Sequence, residues 1–329
     1  MSRRGLATLL VLITVVAVAT AIRFGAEPLT SRDVLAAFRG GGSAGARYIV
    51  LDFRLPRALL ACLIGGGLAL AGATFQALLR NPLAEPYILG ISGGAAAGAV
   101  GVLALGWVTA ASWTLPAAAF AGALLAILLV FSVAAAADRA LDVRVLLLAG
   151  VVVGAFFSAV IALILSMSEA RTVRGAVLWM MGSLAAADWQ AVTMVAAYTV
   201  PAALVLLGLA RSLNLLAIGE ETASYLGTDV ERVKLVAYGV ASLITAAGVA
   251  VAGVIGFVGL IVPHGVRLLV GSDYRALLPL SFLAGAAFLT FADLLARVVL
   301  APAEIPIGVV TAFVGVPLFL VLLRRSLTR

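Results

Sequence analysis

Residues 80–94 read RNPLAEPYILGISGG. Here Arg80, Asn81, two prolines and Glu85 stand between two long apolar runs. Pro82 and Pro86 cannot continue a helix, and the residue before each is pushed out of the helical region. One apolar run therefore ends sharply near residue 79 and the next begins near Tyr87. Irregular backbone at membrane depth is tolerated only where protein buries it or water fills a cavity, so this turn belongs to a packed interior or a pore.

The rest of the chain agrees with a membrane setting. The hydrophobic fraction is 64%, charged residues are 11% and the mean hydropathy is +1.20, against roughly 45–50% apolar and about 25% charged in soluble domains. The expected fold class is an all-α integral membrane protein. A length of 329 residues would suggest two domains at ~150 residues each. A chain made of spans of ~20 residues is better counted in helices, so residues 1–329 read as one polytopic domain.

The net charge of +7 is almost entirely arginine at the ends of apolar runs, with Lys234 the only lysine. Interfacial and loop arginines explain it, and no nucleic-acid partner is expected. Cys62 lies alone inside an apolar run, which excludes a disulfide framework and reads as a small buried hydrophobe.

Apolar runs and breakers place ten spans near 6–24, 56–79, 87–107, 114–134, 145–167, 190–210, 233–251, 253–270, 277–299 and 307–323. Ala19-Thr20-Ala21 offers a cleavage site, but the uncharged stretch Gly5–Ile22 exceeds the roughly 7–15 residues of a signal core and reads as a retained first span. An even count puts both termini on one side. Arg3, Arg4, Arg324, Arg325 and Arg329 make that side cytoplasmic and the chain a multi-pass membrane protein.

The first outer loop is also basic, with Arg23, Arg32, Arg39, Arg47, Arg54 and Arg57. It holds LTSRDVLAAF, where Thr30 or Ser31 caps a short amphipathic helix with Val34, Leu35 and Phe38 on one face. A second outer segment, SEARTVRGAVLWMMGSLAAADW, reads as a short helix at the outer surface.

Small residues recur at helix-contact spacing: Gly90, Gly94 and Gly98, then Gly150 and Gly154. In lipid such positions let backbones approach and pack. LPAAAFAGA from Leu115 and LPLSFLAGA from Leu278 match at an offset of 163, which also places Gly90 on Gly253 and Gly93 on Gly256. That is the pattern of an inverted repeat in a transporter.

Several chemistries are missing. The only lysine precedes Leu235, so no phosphate-binding GxxxxGK[ST] loop occurs. One histidine and one cysteine exclude the common metal sites. No pair of carboxylates lies deep in a span, as a proton-relay carrier would show. Asp293, four residues before Arg297, is the best buried acid and reads as a local ion pair. Gln76, Asn81, Glu85, His264 and Arg267 cluster at inner ends of spans and form no catalytic set.

RNPLAEPYILGISGG is joined by RLPRALLACLIGGGLALAGATFQ before it, by LNLLAIGEETASYLG at Leu213–Gly227 and GVIGFVGLIVPHGVRLLVGSDYR at Gly253–Arg275, and by IPIGVVTAFVGVPLFLVLL near the end. Together, over residues 50–325, they resemble the permease family of type II ABC importers for iron–siderophore chelates, haem and cobalamin. The resemblance implies a homodimer of ten-helix subunits in membrane lipid, two separate ATP-binding cassette ATPases below and a substrate-binding protein above. No cofactor is expected on this chain itself; ATP and Mg belong to the partner, which fits the missing phosphate loop.

By the same resemblance, Asn81, Pro82 and Leu83 match a cytoplasmic gate, and the turn near Asp142 matches a second one, where this chain offers Val143 and Arg144. The loop at about 211–232 matches the ATPase-coupling element, through Leu213, Asn214, Gly219, Glu220, Glu221, Leu226 and Gly227. It reads as two short helices broken at Gly219 and Gly227, with Leu226 and Gly227 packed in the ATPase and Glu220 and Glu221 facing its surface. Arg54, Arg57 and Arg297 match arginines that pair with glutamates of the binding protein. Gln76, Pro263, His264, Arg267 and Asp293 belong to shared structural motifs, and His264 is not expected to ligate cargo.

Any cargo selection is expected from apolar residues of the second, fifth and eighth spans. The mechanism implied is ATP-driven alternating access. The competing class is an ion-coupled secondary carrier, which would need deep acids and no coupling loop. A structural subunit of a respiratory assembly would need cofactor-ligating histidines.

Overall fold

The computed structural model describes residues 2–108, 113–137 and 142–327. Among them the chain is helical, with no strand. Helix α1 spans Arg3–Arg23 and α2 Ser31–Phe38; α3, Ala44–Arg47, continues through a π-helical stretch, Tyr48–Arg54, into α4, Leu55–Leu78. A 3-10 turn at Pro86–Leu89 precedes α5 (Ile91–Ala104), followed by α6 (Thr114–Ala137), α7 (Val143–Ser166), α8 (Ala170–Met180) and α9 (Trp189–Gly208). The remainder is α10 (Ala210–Ile218), α11 (Glu220–Tyr225), α12 (Val230–Ala252), α13 (Val258–Val270), α14 (Tyr274–Val298) and α15 (Ile307–Leu327).

A helix stands at each of the ten expected spans. Seven of them, α1, the run ending in α4, α6, α7, α9, α12 and α14, are long and apolar enough to cross a membrane. The expectation for the third and eighth spans needs correcting, because α5 and α13 have only 14 and 13 residues. At 1.5 Å per residue each covers about 20 Å of a hydrocarbon core ~30 Å thick. The third begins late because Pro86 and the left-handed Gly90 (φ 72°) break the chain; the eighth waits for Phe257, at φ 70°.

Local chemistry sets the helix starts. Thr30 rather than Ser31 caps α2, accepting from the Asp33 amide while the Asp33 carboxylate accepts from the Thr30 amide. Asp142, Asp188, Asp229 and Asp273 each accept a backbone N–H at the start of α7, α9, α12 and α14. Several of the chain's few carboxylates are thereby committed to orphan helix donors.

Helix α4 is the axis of the bundle: 83% of the apolar window in its run is buried, against 22% for α1 and α7. It packs on α14, α12, α13 and α9. The small-residue spacing is used as backbone contact. A Cβ on Gly94 would lie 2.3 Å from the Gly122 carbonyl oxygen and one on Gly98 2.1 Å from that of Ala118, so α5 and α6 run antiparallel at the closest approach. Gly90 meets Gly150 and Gly154 of α7 in the same way.

The glycines paired by the expected repeat differ in setting. Gly90 and Gly253 share a positive φ, of 72° and 70°, but ψ is 7° at the first and −165° at the second. The paired glycines Gly122 and Gly285 pack on different helices, Gly122 on α5 and Gly285 on Gly65 of α4.

Candidate functional site

Two non-helical segments, 79–90 and 253–257, meet inside the bundle, and three side chains satisfy their backbones. The Tyr87 hydroxyl donates to the Ile255 carbonyl at 3.1 Å and accepts from the Ile255 amide at 3.2 Å. Glu85 Oε1 accepts from the Phe257 amide at 2.7 Å. Gln76 Nε2 donates to the carbonyls of Ala84, Gly259 and Leu260 at 3.4, 3.3 and 3.2 Å, tying α4 to the first segment and to the first turn of α13. Without such partners, unpaired backbone groups at this depth would each cost several kcal/mol.

Beside this junction lies an apolar cavity of about 610 Å³, lined by Met180, Met181, Val254, Phe257, Phe313 and Val316 among others. The amides of Ile307 and Gly308 donate to the carbonyls of Gly182 and Met181, so the start of α15 caps the end of α8 at the cavity wall. Of the second, fifth and eighth spans expected to face cargo, the eighth lines it through Val254, Gly256 and Phe257, and the other lining residues come from the end of α8 and from α15. Because α4 is the buried axis, its side chains are spent on packing. The opening lies where α13 starts late, between Phe257 at its first turn, the end of α8 and α15.

At the end of the bundle that carries the N-terminus, the candidate gate and coupling residues come together. Arg80 takes a left-handed φ of 49°, turning the chain out of α4. Asn81 Oδ1 accepts from the Leu83 amide at 2.9 Å, and Pro82 and Leu83 are exposed. Facing them, α10 and α11 are separated at Gly219, and Gly227 follows at φ 80°. The two short helices were legible in the sequence.

A cleft of about 510 Å³ lies between the two sets, lined by Arg80, Pro82, Asn214, Ile218, Arg267 and Tyr274 among others. Asn214 anchors the coupling segment, donating to Asp273 at 2.9 Å and accepting from the Tyr274 amide at 2.8 Å. The bonds from Asn214, the Arg275 amide and Arg3 hold the Asp273 carboxyl below its usual range. Arg267 reaches the Tyr274 hydroxyl at 3.3 Å.

Two of the coupling residues differ from expectation. Leu213 is fully buried, because α10 turns Leu213 and Leu216 inward. Glu220 does not face outward: both carboxylate oxygens take the Lys234 ammonium, at 3.0 and 3.1 Å. Burying that ammonium requires a counter-charge. The outward surface instead carries Glu221, Ile218, Tyr225 and Leu226, the last three 71%, 90% and 62% exposed.

Of the expected second gate, residues 138–141 lie outside the described ones. Asp142 caps α7 and pairs with Arg144 at 3.4 Å, while Val143 is partly buried. Hydrogen bonds from the Arg144 amide and side chain hold the Asp142 carboxyl low.

At the opposite end the three arginines matched to docking are buried in the chain: Arg54, Arg57 and Arg297 are 2%, 2% and 4% exposed. Arg54 donates to the carbonyls of Ile22 and Arg23, each at 3.1 Å, and to that of Glu27. Arg297 donates to Ala21 at 2.9 Å. The carbonyls of Ala21, Ile22 and Arg23 are orphan acceptors of the last turn of α1. Arg57 grips Asp293 at 2.9–3.1 Å and Glu304 at 2.8–2.9 Å. Asp293 also pairs with Arg297 at 3.2 Å, the local pair that the spacing suggested.

Sequence reading missed Lys234, Glu304 and Tyr87 as partners, since each acts across 14 to 247 positions of chain. Pro263 and His264 lie within α13; His264 Nδ1 is buried without a hydrogen-bond partner and lines none of the cavities above.

The family model described as the FecCD transport family matches residues 12–325. The cobalamin import system permease protein BtuC of Halobacterium salinarum is 45% identical over 279 residues, 85% of this chain and 74% of the relative. The hemin transport system permease protein HmuU of Yersinia pestis is 38% identical over 327 residues, 97% of this chain and 94% of the relative. A solved structure described as a metal-chelate type ABC transporter in an inward-facing conformation superposes with a TM-score of 0.88 at 30% identity, covering 98% of this chain and 99% of that one.

Proposed function

The chain belongs to the FecCD transport family, as a multi-pass permease of the type II ABC importers, and from that premise we propose that it carries cobalamin or an iron chelate, a siderophore complex or haem, into the cytoplasm by alternating access. The observation that carries this reading is the apolar cavity of about 610 Å³ beside two helices that begin inside the bundle. A bulky chelate passes best through a wide wall that binds it weakly, since a tight site would trap it.

In this reading the N-terminal end is cytoplasmic in a bacterial inner membrane. Residues 81–83 close the path there, with Val143 and Arg144 at the second gate. The large apolar side chains exposed on α10–α11, Ile218, Tyr225 and Leu226, rest with Glu221 against a separate ATPase, which supplies the hydrolysis. A second copy of the chain completes the path, and a substrate-binding protein docks at the opposite end. There the buried arginines act by holding the docking surface in place.

The chain, co-purified with its ATPase and binding protein in nanodiscs, tests this by ATP hydrolysis with each cargo loaded on the binding protein. Stimulation by one loaded form is expected, with ATPase association weakened in Glu221→Arg. No ATPase association by the wild-type chain, with uptake following a proton gradient instead, would remove the reading.

A further inference from the structure

Lys234 is the only lysine of the chain and is 1% exposed, in the second turn of α12. Its ammonium contacts both oxygens of Glu220, the first residue of α11 after the break at Gly219. On the same carboxylate, Arg80 Nη2 lies 3.8 Å from Oε1. Arg80 is the left-handed residue that starts the segment 81–83. One carboxylate on the coupling segment thus faces two cations from two other elements, α12 and the end of α4. One turn further along α12, the buried Tyr238 hydroxyl has no hydrogen-bond partner.

The two contacts differ in strength and in setting. Taking a counter-charge from a buried ammonium carries a large desolvation penalty, so the Glu220–Lys234 contact is the firmer of the two. The Arg80 contact is longer, and its side chain is 46% exposed, so it can break and re-form in water at small cost. A motion of α10–α11 relative to α4 therefore stretches the Arg80 contact first, with Glu220 fixed on α12. If only stability were served, apolar side chains of similar volume at both 220 and 234 would do as well or better.

We propose that Lys234 is a positioning residue for transport: it holds Glu220 where movement of α10–α11 is passed to Arg80 and from there to residues 81–83. The proposal rests on the reading of α10–α11 as the ATPase contact.

The test uses the complete complex of permease, ATPase and binding protein in proteoliposomes, and reads cargo moved per ATP hydrolysed. Lys234→Met and Arg80→Gln are each expected to lower that ratio about threefold to fivefold, the most a half-exposed ion pair can transmit. The double variant should fall no further than either single one, as for residues in one chain of contacts. Lys234→Arg, which keeps the charge, should retain the wild-type ratio.

A wild-type ratio in Lys234→Met or Arg80→Gln, or additive losses in the double variant, would overturn the proposal. Should Lys234→Met fail to fold, Arg80→Gln carries the test alone, and an unchanged ratio there overturns it equally. Failure of the underlying importer reading shows separately, as a wild-type chain that binds no ATPase.

Discussion

Arg57 holds two carboxylates with one guanidinium, and the consequence is asymmetric. Replacing it by Met leaves Asp293, 1% exposed, with Arg297 as its only cation. Breaking one side of a buried pair costs about 3–5 kcal/mol, whereas replacing both sides by apolar groups is often near neutral. Arg57→Met should therefore lower the thermal unfolding midpoint in detergent markedly, and Arg57→Met/Asp293→Leu should recover only part of the loss, because Arg297 then loses its carboxylate. A double variant as unstable as the single one would show that the charges do not act as a pair. Half of this cluster was legible: Asp293 and Arg297 stand four apart on one helix. The other half was not, because Arg57 and Glu304 come from positions 236 and 247 residues away from their partners, and no local period joins them.

Among the elements, α4 and α13 make the contact on which the discontinuous segments depend. A Cβ on Gly72 would lie 1.9 Å from the Gly259 carbonyl oxygen, a backbone atom that cannot swing aside. Gly101 on α5 has nothing within 4 Å of the same position. Gly72→Ala should thus destabilise by about 1–3 kcal/mol through overpacking, while Gly101→Ala is neutral or stabilises by up to ~1 kcal/mol through helix propensity. Equal unfolding midpoints for the two would refute the close approach. The glycine spacing of α5, the Thr30 cap and the break at Gly219 could all be read from the sequence, since each is a local steric or hydrogen-bonding preference. The late starts of α5 and α13 could not. Apolar composition continues through 253–257, and Tyr87 and Glu85, arriving from elsewhere, take up the backbone groups of Ile255 and Phe257 there.

In the whole molecule, the large cavity borders α15, where Phe313 is 78% exposed. A transport path open on that side needs another wall, and a second copy of the chain would supply it. The chain has one cysteine, Cys62, which sits against Thr290 at 3.2 Å, so a clean background is available in Cys62→Ser. Adding Phe313→Cys to that background should give covalent dimers on mild oxidation in membranes. Monomers alone, with Val316→Cys giving the same result, would count against a homodimer closed along α15.

By itself the sequence determined the membrane setting, the ten helices, most of their ends and the family, because composition, helix breakers and long motifs act locally and survive without coordinates. Only the tertiary structure decided which polar groups face one another. It buried the three arginines expected at a docking face, paired Glu220 with Lys234, and opened the cavity between the start of the eighth span, α8 and α15. The physical reason is common to all three: in a low-dielectric interior each buried charge and backbone group must find a partner, and that partner is chosen by proximity in space rather than along the chain.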